Sequence, residues 1–179
     1  MAKKKNKPQQ SPILASSSTL PSTVTPIPDF LFLSPASATS EKTTPSLLQN
    51  GITTIISVGK SPLFRHPDIT YHRLPLLDSE TASLGPTVVK ACEIIDEVEK
   101  KRGKVLAHCS AGISRSPAVI AGYLIQRQGM TFEEAMEALK RGRGLVKPNK
   151  GFEEELRRME GGAGADCEDV KVESPATPG

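Results

Sequence analysis

The sequence predicts an α/β sandwich, a mostly parallel central sheet flanked by helices. Two observations carry that reading, and a third bounds how much of the chain it covers. Short runs rich in β-branched residues alternate with helix-length segments, and a run of helices follows without further strands. One of those helices, starting directly after a strand and a loop, is apolar nearly all round and belongs at the centre of a core. Hydrophobic residues are only 37% of the 179. That is low for one compact domain and suggests that part of the chain adds nothing to the core.

The elements follow in order. Phe30–Ser34 is a short apolar run bounded by prolines and reads as an edge strand. Ser46–Asn50 with Gly51 behind it predicts a brief helix with a glycine stop. Ile52–Val58 is β-branched and predicts a buried strand, and Ile69–Leu74 a second one. Between Gly85 and Gly103 the apolar Val88, Ala91, Cys92, Ile95 and Val98 recur at helical spacing, and Gly103 ends that helix. Lys104–His108 is too short for a helix and reads as a strand. Pro117–Gln128 is the all-round apolar helix. Thr131 and Glu134 form a capping-box pair that opens a helix with Phe132, Ala135, Met136 and Leu139 on its core face. The last helix, about Asn149–Met159, buries Phe152, Leu156 and Met159.

Charge locates the segments outside this core. Lys plus Arg is 23 against 20 acids, a net +3. Residues 1–28 hold Lys3, Lys4, Lys5 and Lys7 and no acid, whereas residues 161–179 are dominated by Asp166, Glu168, Asp169 and Glu173. Neither segment carries enough apolar surface to offset the entropy of ordering, so both are expected to be disordered around a domain at 29–160. A net charge this small excludes a strongly electrostatic nucleic-acid binder. With 5 Phe, 2 Tyr and no Trp, a base-stacking platform is excluded as well. No stretch reaches the roughly 18 apolar residues of a membrane span, and no apolar run follows the first lysines as a secretory signal requires. Three cysteines make no disulfide framework, and a reducing compartment, cytoplasm or nucleus, is expected. Lys3–Lys5 reads as a solvated run, with a weak nuclear signal as the alternative.

Chemistry concentrates in one segment, His108-Cys109-Ser110-Ala111-Gly112-Ile113-Ser114-Arg115-Ser116. A strand, a tight glycine-containing loop and a helix N-terminus together form a cradle for an oxyanion, with amides turned inward and the helix dipole behind them. Arg115 stands six positions after Cys109, where its planar fork can close the ring on two phosphate oxygens. A thiol on the floor of such a cradle is held as thiolate and faces phosphorus as a nucleophile. Ser116 can donate to the sulfur and ease its departure.

His-Cys-x-x-Gly-x-x-Arg-Ser resembles the signature loop of cysteine-dependent protein phosphatases, and the chain looks like a dual-specificity member with a protein tyrosine phosphatase-like fold. The resemblance implies catalysis by Cys109, Arg115 and Ser116, with Ser110, Ala111, Gly112, Ile113 and Ser114 binding phosphate and His108 orienting the loop and helping to keep the thiol ionised. It also implies a general acid about thirty residues upstream, on a loop after a strand. Asp78 fits, because Asp96 lies within a helix and Asp68 precedes its strand; Ser79 and Glu80 shape the loop. Leu145-Val146-Lys147-Pro148-Asn149-Lys150-Gly151-Phe152 is similar to the family's Pro-Asn-x-Gly-Phe segment. Asn149 there either bonds the phosphate loop or simply caps the last helix, and the two roles are compatible. Ala121-Gly122-Tyr123-Leu124 departs from the family's Ala-Tyr-Leu by one glycine, a matter of helix packing.

What the resemblance implies, then, is a stand-alone, monomeric phosphatase acting on phosphorylated proteins, without metal or cofactor. Phospho-Tyr and phospho-Ser/Thr both suit it, because no long insertion with an aromatic wall precedes Asp78. The alternatives are the same chemistry on a phosphoinositide, an inositol pyrophosphate or an RNA 5′ end, a phosphoprotein-binding relative without activity, and a redox thiol protein. Neutral Ser110, Ala111, Ile113 and Ser114 favour a single phosphate over a polyanion. Cys92, on the core face of a helix, reads as apolar filler rather than a resolving thiol.

Overall fold

The computed structural model of the protein describes residues 20–27 and 30–160. Its centre is a five-stranded sheet built from β1 (Thr25–Pro26), β2 (Leu31–Pro35), β3 (Ile52–Val58), β4 (Thr70–Leu74) and β5 (Lys104–Cys109). The spatial order is β1-β2-β5-β3-β4. Only the β1–β2 pair is antiparallel, so the predicted mostly parallel sheet is what forms. The helices are α1 (Thr44–Gln49), α2 (Gly85–Lys100), α3 (Arg115–Gln128), α4 (Phe132–Gly142) and α5 (Lys150–Met159).

Alternation along each strand separates two cores. Ile56, Val58, Ala107 and Cys109 join the larger core, packed with residues of α2, α3, α4 and α5. Ile55, Leu106 and Phe32 face a smaller one with Leu47 of α1. Helix α3 is buried at ten consecutive residues from Ser116 to Ile125, as its all-round apolar sequence requires. Each large aliphatic group sealed there contributes about 1.5–3 kcal/mol.

Two expectations are corrected. The strand near Phe30–Ser34 is not an edge: β2 lies between β1 and β5, because Thr25–Pro26 pair with Phe32 and Leu33. Those residues were assigned by composition to a disordered arm at 1–28, yet Val24 is buried and residues 20–27 are part of the described fold. A two-residue strand leaves no period to read in the sequence. Gly103 closes α2 as expected, its N–H donating to Val98 O at 2.9 Å, and the left-handed residue just before it is Arg102, at φ 56°. Gly103 is also required for space, since a Cβ there would lie 2.5 Å from Thr53 Oγ1 and 2.9 Å from Val98 Cγ1. The rest of the expected arm and tail, residues 1–19, 28 and 161–179, lies outside the described residues. Among those described, no helix is long and apolar enough to cross a membrane.

Gly122 shows what the extra glycine does. A Cβ at this position would stand 2.5 Å and 2.7 Å from the two methyls of Val88, so α2 and α3 meet through a bare backbone. Alanine would add about 1 kcal/mol of helix propensity, but the stiff Val88 cannot turn aside freely and overpacking costs about 1–3 kcal/mol. Gly122→Ala is therefore expected to lower the melting temperature by several degrees. An unchanged or raised value in a thermal melt would show that the two helices have room to spread.

Candidate active site

Parallel strands β2, β5, β3 and β4 all end at one edge, the place where open α/β sheets bind ligands. There β5 delivers Cys109 opposite Pro35 of β2. Beyond it the chain turns through Ser110–Ser114 into the N-terminus of α3. Gly112 makes the turn at φ 67°, and any Cβ would meet Ser34 O at 2.8 Å, so glycine is required twice over.

The direction of the loop's amides follows from where its carbonyls are spent. Ser110 O accepts from Ala36 N at 3.2 Å, and Ile113 O accepts from Lys147 N at 2.8 Å. Between them, Ala111 O and Gly112 O accept from Arg143 Nη2 and Nε, both at 3.0 Å. Every carbonyl from Ser110 to Ile113 is thus tied outward, and the loop N–H groups are left to face the thiol. Gly112 N donates to Cys109 Sγ at 3.2 Å.

Cys109 is only 2% exposed, and burial by itself pushes a thiol up. The Ser116 hydroxyl and the amides of Ser116, Gly112 and Ile113 outweigh that burial, and the thiol lies below its ordinary range. Ser116 Oγ is buried without a hydrogen bond of normal geometry, so it stands ready beside the sulfur. His108 is fully buried, which holds it below the ordinary histidine range, against the pull of the Cys109 carbonyl. Its Nδ1 lies 3.3 Å from Cys109 O, which can only accept, and its Nε2 therefore accepts from Ser57 Oγ at 2.8 Å. His108 thus holds the Cys109 carbonyl through one ring nitrogen and Ser57 through the other.

Asp78 is brought to the loop from the opposite side. Its Oδ1 accepts from Ser114 Oγ at 2.6 Å and from Asn149 Nδ2 at 3.0 Å. Its Oδ2 lies 3.6 Å from Arg115 Nε. Asn149 also accepts from Phe152 N as the cap of α5 and donates its own N–H to Ser114 Oγ at 3.3 Å, so capping and loop-bonding are one arrangement. Arg115 donates from Nη2 to Ser110 Oγ at 2.9 Å, while its Nε is buried with no hydrogen-bond partner. Of the rival carboxylates, Asp96 is engaged by Arg127, and Asp68 stands ahead of β4 with its backbone N–H donating to His66 Nδ1.

Residues 31–161 match the family model for the dual specificity phosphatase, catalytic domain. The chain belongs to the dual specificity phosphatases. It is similar to Arabidopsis thaliana dual specificity protein phosphatase 1, with 33% identity over 73% of this chain and 65% of that protein. Human dual specificity protein phosphatase 5 is 41% identical over 50% of this chain and 23% of its own length. The chain thus spans about a quarter of the human relative and two thirds of the plant one. A solved structure of a mouse putative dual specificity phosphatase complexed with zinc tungstate superposes with TM-score 0.75 at 28% identity, covering 83% of this chain and 93% of that one.

Within this family fold the structure brings Cys109, Ser110–Ser116, His108, Asp78 and Asn149 together, and it adds residues that the sequence did not single out. Arg143 sits in a basic run, Lys140–Arg143, that reads as solvated surface; nothing in its spacing betrays two bonds to loop carbonyls. Gly59 reads as a turn glycine at φ 76°, yet a Cβ would also lie 2.4 Å from Arg115 Nη1. Gly151 passes so close to the Asp78 loop that a Cβ would fall 2.0 Å from Glu80 O. Ser79, bonded to Thr81 within that loop, gives it its turn. Gly151→Ala is expected to separate Asp78 from Asn149, reducing kcat about tenfold and stability by about 1–3 kcal/mol. Steady-state rates equal to the native enzyme's would mean that the close approach does not position Asp78.

Proposed function

We propose that the protein is a phosphatase that hydrolyses phospho-Tyr and phospho-Ser/Thr side chains of proteins through a phospho-cysteine. One observation carries the reading: a buried thiol held below its ordinary pKa faces inward-turned amides, with the Arg115 guanidinium, whose buried Nε makes no hydrogen bond, on one side and Asp78 docked on the same loop.

The amides and Arg115 receive the three non-bridging oxygens of the phosphoryl group. Cys109 Sγ attacks phosphorus and the bond to the side-chain oxygen breaks. Asp78 in its protonated form gives that oxygen its proton, so the product leaves as a neutral alcohol or phenol. Asp78, now a carboxylate, takes a proton from water as the water attacks phosphorus. The S–P bond breaks, inorganic phosphate leaves, and Ser116 donates to the departing thiolate. Neutral Ala111, Ile113 and the two serines around the cradle support a single phosphate on a side chain over a polyanion. Cytoplasm or nucleus is the compartment proposed, since the thiol must stay reduced.

Leaving-group dependence tests both halves of the proposal. p-Nitrophenolate departs readily unprotonated, whereas the alkoxide of serine does not. Asp78→Asn is therefore expected to cost about 10²–10³ in kcat/KM, which stops at phosphoryl transfer to Cys109, on phosphoserine and phosphothreonine peptides, and distinctly less on p-nitrophenyl phosphate. Equal losses on both would remove Asp78 as the acid. In the same assay, a preference for a phosphoinositide, an inositol pyrophosphate or an RNA 5′ triphosphate over every phosphopeptide would overturn the protein substrate. Tight phosphopeptide binding without turnover would favour a binding protein instead.

A further inference from the structure

A groove leads away from the cradle on the β4 side. Its first part, a cavity of about 320 Å³, is lined by Gly59, Arg73, Leu77 and Ser83 among others. A second cavity of about 290 Å³ shares Pro75 and Ser83 with it and continues past Pro86 to Lys90. The head of the groove is separated from the Arg115 guanidinium only by the bare backbone of Gly59, where even a Cβ would come within 2.4 Å of Nη1. The groove thus begins beside the cradle, with Gly59 backing Arg115 and Leu77 next to Asp78.

Its walls suit a polypeptide. Prolines 75 and 86 and the 77% exposed Leu77 offer apolar surface. Its cations are unequal. Lys90 at the far end is taken by Glu93 at 2.6 Å. Arg73 is exposed and, among the described residues, has no hydrogen-bond or ion-pair partner. Lys60, next to Gly59, is exposed too, and its charge reaches as far as His108.

We propose that this groove seats the chain flanking the phospho-residue, and that Arg73 there binds an anionic group of the substrate, a carboxylate or a second phosphate. The proposal rests on the protein-phosphatase reading above. Register sets the spacing. Arg73 pairs with Ser57 and Ser57 with His108, so the backbones of Arg73 and of His108, the neighbour of the nucleophile, lie two strands, about 10 Å, apart. An extended peptide advances about 3.3 Å per residue. The anion therefore belongs two or three residues from the side chain being dephosphorylated.

The test is a set of phosphotyrosine peptides with Gln, Glu, phosphoserine or Lys placed two and three residues to either side, compared by kcat/KM at low salt. The native enzyme is expected to favour Glu over Gln about threefold and phosphoserine over Gln about tenfold, the ratio residing in KM. Which of the two is favoured more distinguishes the carboxylate from the phosphate source. Arg73→Glu, at an exposed position with no partner to lose, is expected to erase both preferences and to favour the Lys peptide instead. Equal kcat/KM for all peptides, or a preference for acids that survives Arg73→Glu, overturns the subsite while leaving the phosphatase reading intact. Hydrolysis of p-nitrophenyl phosphate with none of any peptide overturns both.

Discussion

Cys109→Ser is expected to lower hydrolysis of p-nitrophenyl phosphate by more than about 10⁴-fold with the fold retained. The magnitude follows from where the thiol sits. The whole arrangement of Gly112, Ile113 and Ser116 favours its ionised form. A serine hydroxyl, far less acidic, gains nothing comparable from the same donors and has no base beside it, since His108 is committed to Ser57 and the Cys109 carbonyl. The depressed thiol pKa adds a pH signature of definite sign. The thiolate persists as pH falls below the ordinary cysteine range, so alkylation by iodoacetamide should titrate below the pKa of a free cysteine. Alkylation that follows a free thiol's titration would mean the loop does not stabilise the anion. Substantial residual turnover by the serine variant would remove Cys109 as nucleophile.

Arg115→Lys is expected to cost about 10³-fold or more in kcat/KM although the charge is kept. Arginine offers a planar fork, with one arm already set by Ser110 Oγ and a buried Nε left open. A lysine ammonium presents one point of contact and cannot reproduce two parallel bonds to phosphate oxygens. Gly59 sharpens the requirement, because the guanidinium is packed against a residue with no Cβ. Lysine leaves that space unfilled. A loss of tenfold or less would show that charge alone suffices and that the fork is not used.

The sequence made the cradle readable because its parts are consecutive. A strand, Cys109, a glycine turn, Arg115 and a helix all fall within one stretch, and local chemistry is what sequence reports best. Asp78 was accessible through its spacing and the resemblance. Its docking was not, because the bonds to Ser114 and Asn149 join segments 36 and 71 residues away. Arg143 and Gly59 were invisible for the same reason: their importance lies in what a distant segment places against them. The β1–β2 pairing was missed because two residues carry no alternation. Gly103 was legible as the end of α2, but its second role, leaving room for Thr53 of a distant strand, was not.

The phospho-cysteine is the point on which the mechanism stands, and Asp78→Asn is the form of the protein in which to catch it. With p-nitrophenyl phosphate the first step needs little acid, while hydrolysis of the intermediate still lacks its base. Rapid mixing followed by acid quench and peptide mass spectrometry should show a stoichiometric burst of p-nitrophenol and a phosphoryl group on the peptide containing Cys109. A burst with the phosphoryl group on any other residue, or turnover by this variant with no covalent adduct at any time, would contradict the account.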